Sequence, residues 1–258
     1  MSDNLIPVMP DEQFSFDCSP GVACFNACCR DLNQSLFPYD ILRLKQRLRL
    51  SSDEFLARYT RQHIGPGSGL PIVTLKPEKA GGLKCPFVSE KGCSVYSDRP
   101  ASCRTYPLVR AISRCRETGR ITEHFMLLNE PHCLGHNEPN KQTVRQWIEG
   151  QEIEAYNCIN DGLMQIIRLK NRVLPGPLDL KSRRLVYQAL YDLDNFRKQL
   201  FNNRLLDNVD VDPQKLAAAE TDDITLLEVG IEWIKQVVFK QIKVPGFSVQ
   251  RFKGSKKG

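Results

Sequence analysis

The sequence predicts an α+β fold in successive parts: a cysteine-rich region of short helices and β-hairpins over residues 14–140, a helical support region over 141–245, and a basic, disordered tail over 246–258. Three observations carry this reading. Nine of the ten cysteines lie in the first 133 residues, which marks that region as chemically distinct. From Lys141 onward, short alternating segments punctuated by Gly and Pro give way to long amphipathic periodicity. With 258 residues, 41% of them hydrophobic, the chain can bury a core without covalent staples, so its cysteines are not needed for stability.

The elements follow in chain order. After the thiol-rich opening "FDCSPGVACFNACC", the segment "FPYDILRLKQRLRL" places Ile41, Leu44 and Leu48 at helical spacing. In "SSDEFLARYT" a capping box of Ser51 and Glu54 starts a second helix. "GPGSGLP" breaks that helix, "PIVTL" reads as a strand, and "KCPFVSEKGCSVY" reads as a hairpin turning at Glu90-Lys91-Gly92, which brings Cys85 and Cys93 onto neighbouring strands. A second hairpin, "LVRAISRCRETGRITEHFMLL", turns at Thr118-Gly119 before the loop "NEPHCLGHNEPN". Beyond it, Val144, Ile148, Ile153, Tyr156 and Ile159 open a series of amphipathic helices that continues through "SRRLVYQALYDLDNFRKQLFNN" and "ITLLEVGIEWIKQVVFKQI". Cys158 falls on the apolar side of its helix and reads as a core residue.

The thiols define the chemistry. Cys28 and Cys29 share one peptide unit, so a disulfide between them is strained, and an extended backbone would point their side chains to opposite sides. The N-terminus has no basic segment followed by an apolar run, and no stretch approaches the roughly 18 to 20 apolar residues of a membrane span. The expectation is a cytoplasmic protein with no membrane span, whose thiols stay reduced and serve metal binding or redox chemistry rather than a disulfide framework. Soft sulfur donors arriving from several segments suit zinc and iron–sulfur sites alike. Eight or nine candidates exceed one tetrahedral ion, so either two metal sites or one polynuclear cluster is implied, with Cys28 and Cys29 serving different metal atoms. The competing reading is a structural zinc module, acting in protein interaction, in which some thiols are spectators.

Weaker signals qualify this. In "YSDRPASCRTYPL", Asp98 is expected to cap a short helix with Pro100 early and Cys103 in the first turn, where the helix N-terminus, Arg99 and Arg104 favour a thiolate. The two arginines fit a role beside a thiolate cluster and simple surface pairing equally well. Tyr96 and Tyr106 are candidates to bond sulfur or pack the site. His132 and His136 flank Cys133 but read as loop positions, since imidazole is optional among abundant thiols. "GPGSG" has nucleotide-loop form, yet it follows a helix and reads as a linker. Cys115, in a hairpin strand between Arg114 and Arg116, is left without a role. The net charge of +6 is scattered and carries no interleaved aromatics, so nucleic acid is not an expected partner.

Three stretches, "FDCSPGVACFNACCRDL", "CPFVSEKGCSVYSDRPASCRTYPL" and "HCLGH", resemble the cysteine-cluster family described as a zinc- or iron-chelating domain of CxxCxxCC pattern, which also includes flagellin lysine N-methylases. The resemblance spans roughly residues 14 to 140, and its Y-x-x-R-P-x-x-C-R-x-Y-P motif is specific. Here five residues separate Cys18 from Cys24, and three separate Cys24 from Cys28. It implies metal ligation by Cys18, Cys24, Cys28, Cys29, Cys85, Cys93, Cys103 and Cys133 without fixing the metal, and the thiol excess over one tetrahedral site favours an iron–sulfur cluster or iron as cofactor, with zinc as the alternative. The function implied is redox or metal handling with a metal and a protein as partners; the enzymatic alternative is a lysine N-methylase. Ligands from distant segments, Cys29 and Cys103 among them, would make metal binding and folding of this region one event.

Overall fold

The computed structural model describes residues 4–30, 33–79, 82–115, 117–202, 205–206 and 209–239; the expected tail at 246–258 and Arg116 lie outside these. The fold is α+β, with strands concentrated toward the N-terminus and helices toward the C-terminus. In chain order the N-terminal elements are β1 (Leu5–Val8), β2 (Gln13–Ser15), β3 (Ser35–Leu36), α1 (Pro38–Leu48), α2 (Ser52–Tyr59), β4 (Thr60–Ile64) and β5 (Pro71–Leu75). There follow β6 (Val88–Ser89), β7 (Gly92–Cys93), α3 (Ala101–Thr105), β8 (Leu108–Arg114), β9 (Ile121–Leu128) and β10 (Lys141–Thr143). The remaining helices are α4 (Val144–Gly150), α5 (Glu154–Val173), α6 (Leu180–Leu190), α7 (Leu193–Asn202), α8 (Pro213–Ala219) and α9 (Asp223–Trp233), with a π-helical turn over Ile234–Val238.

Both hairpin turns form where the turn residues place them, but Cys85 precedes β6 instead of lying on a strand beside Cys93, because only Val88 and Ser89 pair with β7. β6 and β7 pair Val88 with Cys93 around Glu90-Lys91, and β8 and β9 pair from Leu108↔Leu127 to Arg114↔Ile121. The capping box at α2 is present, with the Ser51 N–H donating to Glu54 Oε2 at 2.9 Å. Short partners escaped the sequence reading. β1 adds to β9 through Leu5↔Leu128 to Val8↔Phe125, and β10 pairs with β2 across more than a hundred residues. Strands of three or four residues are too short to leave a periodic signal to read. The "GPGSG" segment follows strand β4 rather than a helix. It is a turn, closed by Gly65 N–H to the Leu70 carbonyl at 2.9 Å, and it leads into β5.

The chain divides into two compact units, one made of Met1–Leu36 and Thr74–Tyr156, the other of Phe37–Val73 and Asn157–Gly258. The first has a core of Val8, Phe14, Phe16, Leu108, Phe125 and Val144, with Tyr106, Cys133 and Trp147 packed against it. Its aromatic rings meet edge to face, Phe16 with Trp147 at 5.4 Å and with Tyr106 at 5.7 Å, the arrangement that ring quadrupoles favour. Residues 37–73 carry no cysteine and fold with the helical unit. There Lys45 on α1, 6% exposed at its side chain, pairs with Asp194 and Asp223, each at 3.0 Å. Helix α9 departs from the amphipathic expectation: Leu226, Leu227, Val229, Gly230, Ile231 and Trp233 are all buried, the signature of a central helix. Gly230 permits that position, since a Cβ there would lie 2.6 Å from the Ala189 carbonyl oxygen.

Candidate metal centre

The stretch Cys18–Cys29 is not extended. Successive turns, from Val22 N–H to the Ser19 carbonyl through Cys29 N–H to the Asn26 carbonyl, coil it so that four thiols occupy a small volume. Asn26 adopts φ 64°, the left-handed region that asparagine tolerates better than most residues. The expectation that Cys28 and Cys29 point to opposite sides rested on an extended backbone. In the coiled segment their side chains hydrogen-bond to each other. That bond separates them chemically. Receiving it holds the Cys28 thiol below its ordinary range, against the opposing effect of burial and helped by its own backbone N–H and by His132. Donating it pushes Cys29 well up, with burial and the neighbouring Cys28, Cys103 and Cys85 acting in the same direction.

Two groups of thiols surround this pair. Cys18, Cys24, Cys28 and Cys133 line one cavity of about 10 Å³, together with Phe16, Asp17, Tyr106 and His132. That is room for about one water-sized particle. Burial, followed by the neighbouring Cys28, Cys24 and Cys133, pushes Cys18 up to about 11. The Leu134 N–H donates to Cys24 Sγ at 3.2 Å, a bond that favours a thiolate. The Cys133 loop is pinned by the Asp17 N–H donating to the Gly135 carbonyl at 3.0 Å. Glycine is required at 135, because a Cβ would lie 2.3 Å from the Asp17 carbonyl oxygen and 2.9 Å from the Phe16 ring.

The second group is Cys29, Cys85, Cys93 and Cys103. The Cys85 N–H donates to the Cys29 carbonyl at 2.9 Å, and Asn26 Nδ2 donates to the Ser89 carbonyl at 3.0 Å, so the coiled segment is docked on the β6–β7 hairpin. Gly92, at φ +109°, lets the Phe25 ring approach the hairpin turn. Burial and then the nearby Cys93 raise Cys85, after allowance for an opposing backbone hydrogen bond, and burial raises Cys93. Cys103 sits in α3 and approaches Gln34 Oε1 at 3.8 Å.

The arginines divide in role. Arg104 is 3% exposed and spends its donors on the carbonyls of Arg99 at 3.2 Å, Gln151 at 2.7 Å and Ser97, while its guanidinium lies 4.7 Å from the Tyr156 ring centre. It is a clamp under the motif. Arg99 lies over the Tyr96 ring at 3.8 Å, bonds Gln151, and has Cys103 and Cys93 as electrostatic neighbours. Burial, its largest influence, disfavours the charged form. Asp98 does not cap α3. It ends a 3₁₀ turn, Tyr96–Asp98, and Pro100 stands at the N-cap, because the Arg99-Pro100 step is extended as a residue before proline prefers. Tyr96 is 58% exposed, whereas the Tyr106 hydroxyl donates to Glu130 at 3.1 Å and lies against Cys133; burial foremost pushes it up.

His132 edges the first thiol cavity, and His136 packs on Phe16 at 5.4 Å with Nε2 placed 3.1 Å from the Leu128 carbonyl. Cys115 is exposed just beyond β8, at the hairpin turn rather than within the strand, and Cys158 lies half-buried in α5 in the second unit. Neither joins the thiol groups. The roles of Gly135 and Gln34 escaped the sequence reading; a glycine two residues beyond a cysteine was the available signal.

Among the described residues, no three Cys, His, Asp or Glu donors stand at closed coordinating geometry. The donor set nevertheless suits a soft metal: eight thiols from four chain segments, Cys18 and Cys103 exposed and the other six half-buried, with four of the eight around one cavity. Burial foremost, then the neighbouring thiols, raises Cys18, and crowding by Cys28, Cys103 and Cys85 adds to the rise of Cys29; a divalent cation would favour the thiolate at both.

Residues 17–134 match the model of the CxxCxxCC family, described as "Putative zinc- or iron-chelating domain". No solved structure matches the chain.

Proposed function

We propose that residues 17–134, which match the CxxCxxCC family, form a zinc- or iron-chelating domain, and that the protein holds zinc or iron through its thiol groups and serves metal handling or, with iron, electron transfer. The observation that carries this is the gathering of Cys18, Cys24, Cys28 and Cys133 around one cavity of about 10 Å³. That volume suits a metal ion, and is far below the several hundred Å³ of a small-molecule pocket. It also fits a single ion more closely than a cluster that carries several irons and sulfides. When bound, the metal supplies positive charge to the thiolates and, if iron, a one-electron couple. The chain's own residues position and tune it. Leu134 N–H and Tyr106 stand beside sulfurs of the first group, and Arg99 stands beside sulfurs of the second.

The test is anaerobic purification followed by metal analysis, acid-labile sulfide assay and an absorption spectrum. The reading expects at least about one zinc or iron per chain, the minimum for a single four-ligand site. Iron with equimolar sulfide replaces single ions by a cluster within the same reading, and a metal-free protein under these conditions refutes it.

A further inference from the structure

Resting on the metal-binding reading, we propose that the eight thiols form two four-sulfur centres side by side, Cys18, Cys24, Cys28 and Cys133 in one and Cys29, Cys85, Cys93 and Cys103 in the other. Each set has its own framework. The first is closed by the Cys133 loop against Phe16 and Asp17, held by the Gly135 approach, and all four of its thiols border the same cavity. The second is built on the β6–β7 hairpin, to which the Cys29 carbonyl, Asn26 and Phe25 are fastened, and α3 adds Cys103 beside Cys29.

The two sets meet at one place. Cys18 borders the first cavity with Cys24, Cys28 and Cys133, and the Cys29 carbonyl accepts the Cys85 N–H of the second set at 2.9 Å. Four sulfurs complete one tetrahedral ion, so eight in two frameworks match two ions, and adjacent residues on a coiled backbone place one ligand in each. A four-thiolate centre with a divalent ion carries a net charge of about −2 and needs nearby positive or donor groups. Each set has a separate one: His132 lines the cavity of the first, and Arg99, stacked over the Tyr96 ring, has Cys103 and Cys93 as neighbours in the second. The Cys28–Cys29 pair then serves as the shared edge, close enough for the occupancy of one centre to influence the affinity of the other.

Cobalt(II) is the probe, titrated anaerobically into reduced, metal-stripped full-length protein, because four-sulfur tetrahedral cobalt has its own visible spectrum. The wild type should saturate at about two ions per chain, and Cys18→Ser and Cys93→Ser should each saturate at about one, from four sulfurs per ion. Each variant should retain the four-sulfur spectrum for the ion it keeps. Cys158→Ser, outside both sets, should still take two. Iodoacetamide mapping of the wild type supplies a readout independent of variant folding: cobalt should protect the eight named cysteines and leave Cys115 reactive. Saturation at one ion in the wild type, or loss of both ions in either Cys18→Ser or Cys93→Ser, overturns the two-centre assignment. A wild type that takes up neither cobalt, zinc nor iron sinks the metal-binding reading itself, which separates the two failures.

Discussion

Replacing Arg104 by Met should loosen the first unit while leaving all eight thiols in the chain. The side chain is 3% exposed, donates to the carbonyls of Arg99, Ser97 and Gln151, and stacks on Tyr156. Hydrogen bonds from a charged donor contribute about 1.5–3 kcal/mol each. The cation–π contact adds about 0.5–2 kcal/mol. These gross values do not add, because the charge must also be desolvated, and Met restores the buried aliphatic stem at about 0.8 kcal/mol per CH₂. The 4.0 Å approach to Glu152, which is 84% exposed, contributes little. A net loss of about 3 kcal/mol is expected, at the low end for breaking a buried charged network because the acceptors are neutral. Hydrogen exchange of the amides around Thr105–Leu108, followed in increasing urea, reads this unit separately from the helical one. With a slope of about 2 kcal/mol per molar urea, the opening midpoint should fall by about 1.5 M. Arg104→Lys should recover little, since an ammonium cannot reach three carbonyls in a planar fork. A loss below about 1 kcal/mol for Arg104→Met would refute the clamp role, because one charged hydrogen bond alone exceeds it.

The remaining predictions concern the Cys133 loop and the helical unit. Gly135→Ala must move the loop off Asp17, because the new Cβ would stand 2.3 Å from a backbone oxygen; it should lower metal retention at the first thiol group, measured as faster zinc release to a chromogenic chelator, whereas unchanged release means the loop does not position Cys133. In the helical unit, burial raises Asp194 and Asp223, but hydrogen bonds from Ser52, Lys45 and Arg197 outweigh it and hold both carboxyls below their ordinary range. Their contribution is therefore fully present above the usual carboxylate pKa of about 4 and lost as pH falls through the lower folded values. Unfolding followed by the fluorescence of buried Trp233 should show this acid loss, and Lys45→Met should cost about 2–4 kcal/mol at neutral pH and flatten the acid limb; an unchanged pH profile in the variant would show that Lys45 does not set those carboxyls.

By itself the sequence determined the α+β class, the turns of both hairpins and the capping box at Ser51, and it marked the cysteines as candidate ligands, because hydrophobic period, turn residues and cysteine spacing are local properties of the chain. It could not determine the short pairings β1–β9 and β2–β10, whose stability comes from packing around Phe14, Phe16 and Phe125 rather than from their own three or four residues. The sequence left Arg99 and Arg104 undecided between two roles. Only the tertiary fold buries Arg104 among carbonyls and sets Arg99 beside thiols, because burial is a property of what packs around a side chain. The same holds for Cys28 and Cys29: their adjacency was legible, but which thiols each faces depends on a coiled backbone docked against a hairpin more than sixty residues away. Coordination is a non-local relation among donors, and no spacing rule within one segment encodes it.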